Sequence, residues 1–321
     1  SGSPANTAIY FALLNFGDTV LGLQLDHGGH ITHGLPISFS GKAYNFVQYQ
    51  LNKETGRLDM EQVRRLAHEH KPKMIVAGFS AYSRDIDWEE FKKIADEVGA
   101  ITFADISHTA GLIAGKALKS PVPFFDVVMT TTHKTLRGPR GAIIMCKEKF
   151  AKDIDRAVFP GLQGGPHEHI IAGKAIAFQE ALKPEFQEYA AQVIRNAKRM
   201  ADGFVARGYT VISGGTDNHL MLIDLTNKGI AGKKAQDALD EVGITLNKNT
   251  VPFETRSPMD PSGMRLGTPA ITTRGMKELE MDMIVNWIDQ VISNIDDQEL
   301  HKKIHAEVCE LSKKFPVPGI A

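Results

Sequence analysis

At about 100 to 200 residues per domain, a chain of 321 residues is long enough for two domains and a large core. Its 37 Lys and Arg against 38 Asp and Glu leave a net charge of −1, which argues against a nucleic-acid scaffold or a polybasic membrane-surface protein, since both rely on clustered positive charge. The 42% apolar and 23% charged fractions are those of a folded globular chain, and no apolar run approaches the roughly 20 residues of a membrane helix.

Residues 4–14 read as a helix, with Pro4 suited to its first turn and Ser1-Gly2-Ser3 supplying small cap-capable residues ahead of it. Phe16-Gly17-Asp18 turns the chain, and residues 20–23 are a short strand candidate. The run Asp26-His27-Gly28-Gly29-His30-Ile31-Thr32-His33-Gly34 has no periodicity and reads as a loop or helix start. Asp59 can cap a helix over Met60–His70. Met74–Gly78 has the pattern of a buried strand, breaking at Phe79-Ser80. Asp87 caps Trp88–Val98, Gly99 ends that helix, and residues 101–103 form the next strand, closing on Ala104-Asp105. A short helix near Ala110 precedes a strand over Val127–Thr131, which runs into Thr132-His133-Lys134.

Residues 141–146 are a further apolar run of strand length. Cys146 at its end reads as core, and with Cys309 far away it supports neither a disulfide framework nor a zinc site, so a reducing compartment is expected. After residues 160–166 come long helices over 168–182 and 184–208, strands over 209–213 and 220–225, a helix over 233–242, a strand over 244–246, and helices to about Phe315. Met281, Ile284, Trp287, Ile288 and Val291 recur at helical spacing and read as core. The whole predicts an α/β fold in which a mostly parallel sheet carries helices on both faces. The large domain spans 1–183 and a smaller α/β domain 184–321, with the boundary near Lys183-Pro184.

Ligands of such sheets sit at the carboxyl ends of the strands, which singles out Asp105 and Lys134. A partly desolvated Lys can form a Schiff base with an aldehyde, and a carboxylate can keep a pyridine nitrogen protonated. A helix start with small residues and open N–H groups suits a phosphate. Lys, Asp and phosphate cradle together are what pyridoxal phosphate requires. Taken singly, the same residues also fit a solvated Lys, a capping Asp and an ordinary turn. His27, His30 and His33, at three-residue spacing, also fit a metal cluster.

Longer motifs go further. Ser1-Gly2-Ser3, His27-Gly28-Gly29-His30, Gly78-Phe79-Ser80-Ala81-Tyr82-Ser83, Asp105-Ile106-Ser107-His108 and Thr130-Thr131-Thr132-His133-Lys134-Thr135-Leu136-Arg137-Gly138-Pro139-Arg140-Gly141 resemble serine hydroxymethyltransferases. So do residues 161–166, 213–219 and 265–270, in the family's order along essentially the whole chain.

That resemblance implies a fold-type-I enzyme with a seven-stranded-type large domain. It would interconvert L-serine and tetrahydrofolate with glycine and 5,10-methylenetetrahydrofolate, using pyridoxal 5'-phosphate in a Schiff base to Lys134 and tetrahydrofolate as co-substrate. By the same resemblance Asp105 pairs with the pyridine nitrogen, His30 stacks on the ring, and His108 approaches its phenolic oxygen with Ser80 nearby. Ser1, Gly2 and Ser3 hold the phosphate, and Gly164-Gly165 reaches the phosphate site of a neighbouring subunit, which implies a homodimer with shared active sites. Thr131, His133 and Arg140 line the catalytic side, and Arg265 clamps the substrate carboxylate. The folate side uses Leu25, Gly29, His30, Ile31, Asn249, Ser257, Pro258 and Met259. With Gly28-Gly29 allowing close approach of a ligand, ring stacking is preferred for His30 and no metal is expected.

Two positions depart from the family pattern, Pro4 where Gln is expected and Met259 where Phe is expected. The family also carries a segment ahead of Ser-Gly-Ser that supplies a proton-transferring Glu and substrate-side Tyr residues. Residues are therefore expected ahead of Ser1, and without them the site is catalytically incomplete. The alternatives are another fold-type-I activity, a threonine aldolase or an aminotransferase, or a non-enzymatic fragment. No nucleic-acid or membrane partner is expected, and a cytoplasmic location is.

Overall fold

The computed structural model describes residues 1–320, which divide into two compact units. The first comprises Ser1–Asn52, Leu58–Ser80 and Asp85–Glu188, and the second Lys53–Arg57, Ala81–Arg84 and the chain from Tyr189 onward. The division after Glu188 falls inside the helix Pro184–Ala206 rather than ahead of it, where composition changes.

In the first unit six strands form one sheet: β1 (Thr19–Leu23), β2 (Asn45–Tyr49), β3 (Met74–Gly78), β4 (Ile101–Asp105), β5 (Val127–Thr131) and β6 (Ala142–Cys146). Their order is β2-β1-β3-β4-β5-β6, all parallel except β6, which runs antiparallel to β5. The fold is thus α/β as the alternation predicts, with six strands among the described residues where the resemblance implies seven. Every residue of β3 and β5 is buried, as strands covered on both faces require. Asp59 and Asp87 accept from the N–H groups of Gln62 and Glu90 and start the helices Met60–His70 and Trp88–Val98. These caps fix where the crossover helices begin. Ile9, Val20, Val76, Phe103, Val127 and Met129 pack in the core between the helix Gly2–Leu13 and the sheet.

Strand order reverses between β1 and β3, and the crevice at such a switch point, outside the carboxyl ends, is where doubly wound sheets bind ligands. Register sharpens the geometry. Gly78 pairs with Asp105 across β3 and β4, so the segments leaving both strands start level. A Cβ at Gly78 would lie 2.3 Å from the Asp105 carbonyl oxygen, so this approach requires glycine.

The second unit holds β7 (Thr210–Val211), β8 (Leu220–Asp224), β9 (Asn247–Asn249) and β10 (Gly263–Gly267) in the order β7-β8-β10-β9, every pair antiparallel. Two sequence expectations shift here. The predicted strand over 209–213 pairs only at Thr210–Val211, because Ser213 turns into a left-handed conformation (φ 61°), its hydroxyl accepting from Arg84 and sharing a hydrogen bond with the Ser83 hydroxyl. The apolar triplet 244–246 carries no strand. Ile244 and Leu246 pack into the core instead, and the ladder forms in the polar Asn247–Asn249, which pairs with β10. No helix among the described residues is long and apolar enough to cross a membrane.

Candidate active site

Sheet topology delivers the site. The segments after β1, β3, β4 and β5 contribute His30, Ser80, Asp105 with His108, and Thr131 with Lys134 to one cavity, which Gly2 reaches from the helix start. Phe79 and Ser107 complete its wall. A larger, mainly apolar cavity lies in the second unit, between Met200, Ile271, Trp287 and Leu311. Its one charged lining residue, Arg274, is bound to the carbonyls of Ser312 and Phe315 and no acid, imidazole or thiol joins it, so the chemistry is assigned to the strand-end cavity.

Asp105 is buried, with 6% of its surface exposed. Burial alone would push its carboxyl up, but His33, Ser107 and Asn6 overcome this and hold it well below the usual carboxylate range. The donors are the Asn6 amide at 3.0 Å, His33 Nε2 at 3.3 Å and the Ser107 backbone N–H at 3.1 Å. Asp105 is therefore an ionised carboxylate in a nearly dry site, able to stabilise a cation placed against it. Neither Asn6 nor His33 is marked by any local sequence signal as a partner of Asp105, which they meet from 99 and 72 positions away.

His30 carries the opposite preference. Burial lowers its pKa to about 4, with His33 and Lys134 adding to the effect and Asp105 opposing it. Its ring is neutral at pH 7, an aromatic face rather than a cation. Lys134 donates from Nζ to Thr131 Oγ1 at 3.0 Å. The Thr131 backbone N–H donates in turn to Ser107 Oγ at 3.1 Å, so the Lys134 turn is tied to the loop after β4. Ser1 makes no side-chain cap bond to the helix Gly2–Leu13, which leaves first-turn N–H groups for a ligand. A Cβ on Gly2 would meet Thr131 Cγ2 at 2.8 Å, so only glycine lets this helix start come so close to β5.

The remaining predicted residues lie outside the cavity lining. Ser3 accepts the Thr7 hydroxyl through its carbonyl. The His133 imidazole is lowered by burial and then by Lys134 and Arg140, and Arg140 itself is exposed. Leu25 and Ile31 are exposed and Gly29 is buried, with a built Cβ only 2.0 Å from the Leu23 carbonyl. Gly164 and Gly165 are exposed, with open space where a Cβ would stand. In the second unit Arg265 lies on β10, its pKa lowered by burial, and Asn249 lies on β9, its amide donating to the Thr250 carbonyl at 2.7 Å. Ser257, Pro258 and Met259 form an exposed turn. Carboxylate and imidazole atoms of His30, His33 and Asp105 lie within 4.8 Å of one another. Their hydrogen bonds to Thr32, Asn6 and Ser107 already account for this convergence.

A family model described as serine hydroxymethyltransferase matches residues 1–288. Serine hydroxymethyltransferase 1 of Pseudomonas aeruginosa is 56% identical over 319 residues, spanning 99% of this chain and 76% of that relative.

Proposed function

Because the chain belongs to the serine hydroxymethyltransferase family, we propose that the strand-end cavity is its cofactor and amino-acid site and that Lys134 is the amine that holds the aldehyde of pyridoxal phosphate. The family's reaction interconverts L-serine and tetrahydrofolate with glycine and 5,10-methylenetetrahydrofolate, and this chain is an enzyme of that activity. Asp105 is the observation that carries the site assignment. A buried carboxylate kept ionised by three donors fits a protonated pyridine nitrogen, and the uncapped helix start at Gly2–Leu13 fits a phosphate.

When bound, pyridoxal phosphate supplies an electron sink for charge developing at the amino-acid Cα. The protein's part is positioning and electrostatics. Asp105 would keep the ring nitrogen protonated, His30 would offer its neutral face to the ring, and His108 and Ser80 would serve the phenolic oxygen. Ser1, Gly2 and Ser3 would hold the phosphate at the helix start. Thr131 Oγ1 holds the Lys134 ammonium within 3.0 Å and so orients it. His133 and Arg140 line the catalytic side, and Arg265, a planar guanidinium, clamps the substrate carboxylate bidentately. Leu25, Gly29, His30, Ile31, Asn249 and Ser257-Pro258-Met259 form the folate side. The open Gly164-Gly165 loop completes the phosphate site of a second subunit in a homodimer. Cys146 and Cys309, both free thiols, fit a cytoplasmic location.

Replacing Lys134 by Gln tests this reading. The variant should lose multiple turnover together with the visible absorbance of the covalently held cofactor. Undiminished turnover overturns the assignment of Lys134. Serine cleavage that proceeds equally well without tetrahydrofolate would instead point to a threonine-aldolase-like activity.

A further inference from the structure

Asn6 lies one helical turn beyond the Ser-Gly-Ser start and is wholly buried. Both protons of its amide are committed. Nδ2 donates to Asp105 Oδ2 at 3.0 Å and to Thr32 Oγ1 at 2.8 Å. Thr32 Oγ1, which accepts from Asn6, lies 2.7 Å from His30 Nδ1, and because that nitrogen also accepts a backbone N–H the hydroxyl proton is directed to it. The Thr32 backbone N–H points at the same Nδ1 from 3.2 Å. A nitrogen that accepts two donors carries no proton, so the His30 hydrogen resides on Nε2. On the other side, His33 Nδ1 accepts the His30 backbone N–H at 3.3 Å while its Nε2–H donates to Asp105. The chain of donors thus has one direction, and Asn6 is its fork.

The other end of the amide confirms that the fork is oriented by what it donates to. Asn6 Oδ1 is buried and has no hydrogen-bond partner, which a folded protein tolerates only where the group is otherwise required. Flipping the amide would turn its oxygen toward the Asp105 carboxylate, which only accepts, so the Asp105 contact fixes the orientation.

We propose that Asn6, acting through Thr32, is a positioning residue that locks the carboxylate of Asp105 and the tautomer and plane of His30 as one unit. This rests on the reading that Asp105 and His30 face the cofactor ring. The charged and titratable groups around His30 are His33 on its own loop, Asp105 from β4 and Lys134 from beyond β5, and the relay fixes how two of these meet the ring.

The test uses nitrogen-15 NMR of histidine-labelled holoenzyme, in wild type and in Thr32→Val, Asn6→Ala and Asn6→Asp, with cofactor dissociation constants measured in parallel. Thr32→Val keeps shape and removes only the hydroxyl. In it the Nδ1 signal of His30 should move toward the mixed-tautomer position, and His30 should titrate about one pH unit higher. Asn6→Ala should do the same and weaken cofactor binding about tenfold. Asn6→Asp, which sets a second carboxylate against Asp105, should weaken it more than Asn6→Ala does. If His30 keeps its Nδ1 signal and titration in Thr32→Val, the relay is wrong, whatever Asn6→Ala does to folding. If the relay responds as stated but His30→Ala and Asp105→Ala bind cofactor as tightly as wild type, the relay stands and the reading of the site falls.

Discussion

The strand-end cluster and the exposed turns proposed for folate and for a second subunit are built in opposite ways. Asp105 and Thr131 end β4 and β5 and His30 lies in the loop after β1, each held by bonds within the first unit before any ligand arrives. Gly164-Gly165 in the first unit and Ser257-Pro258-Met259 in the second are exposed, and open space surrounds both glycines. The contrast follows from what each must do. Ring chemistry needs a fixed protonation state and geometry, which only a desolvated, fully bonded cluster keeps. If these turns receive folate or a second subunit, as proposed, they would gain their order from that contact. Substitutions in the cluster should therefore change chemistry and stability together, whereas substitutions at the rim should change affinity alone.

Asp105→Asn attacks the cluster most directly. Turnover should fall by about 10²- to 10³-fold, the scale of losing one preorganised electrostatic partner. Stability should change with a pH signature. Because the folded pKa of Asp105 is depressed, its contribution is present above an unfolded value of about 3.9 and is lost as pH falls through the lower folded value. Urea unfolding at pH 7 and pH 3 should show the gap between wild type and variant beginning to narrow in acid. A variant with full turnover would mean that the carboxylate is a structural group only.

His30 sets a second, milder test of the same cluster. Its folded pKa of about 4 lies below the unfolded value, so between these two the unfolded chain binds the extra proton. Stability should fall as pH drops from about 6.5 toward 4, by about 3 kcal/mol in total. His30→Gln should flatten that slope. A wild-type slope that survives the substitution would assign the titration to another group.

How much of this was legible depends on whether a signal is local. The helices that start at Asp59 and Asp87 and the strands Met74–Gly78 and Val127–Thr131 are written in caps and unbroken apolar runs. Asn45–Tyr49 and Asn247–Asn249 are mixed or polar, and become strands because β1 and β10 offer them a ladder. Lys134, Asp105 and His30 could be found because strand ends and family motifs mark them. Asn6 and His33 bond Asp105 from 99 and 72 positions away, and no spacing rule encodes contacts that only the sheet register creates.

The smallest effect belongs to the rim. Met259 is 74% exposed and packs on no core, so Met259→Phe should leave the unfolding free energy within about 0.5 kcal/mol of wild type. If residue 259 belongs to the folate side, as proposed, an aromatic ring there would add a flat face for the pteridine, an interaction of about 0.5 to 1.5 kcal/mol. The KM for tetrahydrofolate should therefore fall roughly twofold to tenfold while kcat and the KM for serine stay fixed. A matching change in kcat would show that this turn reaches the reacting atoms, and the division between a locked cofactor cluster and a compliant folate rim would have to be redrawn. An unchanged folate KM would remove residue 259 from the folate side altogether.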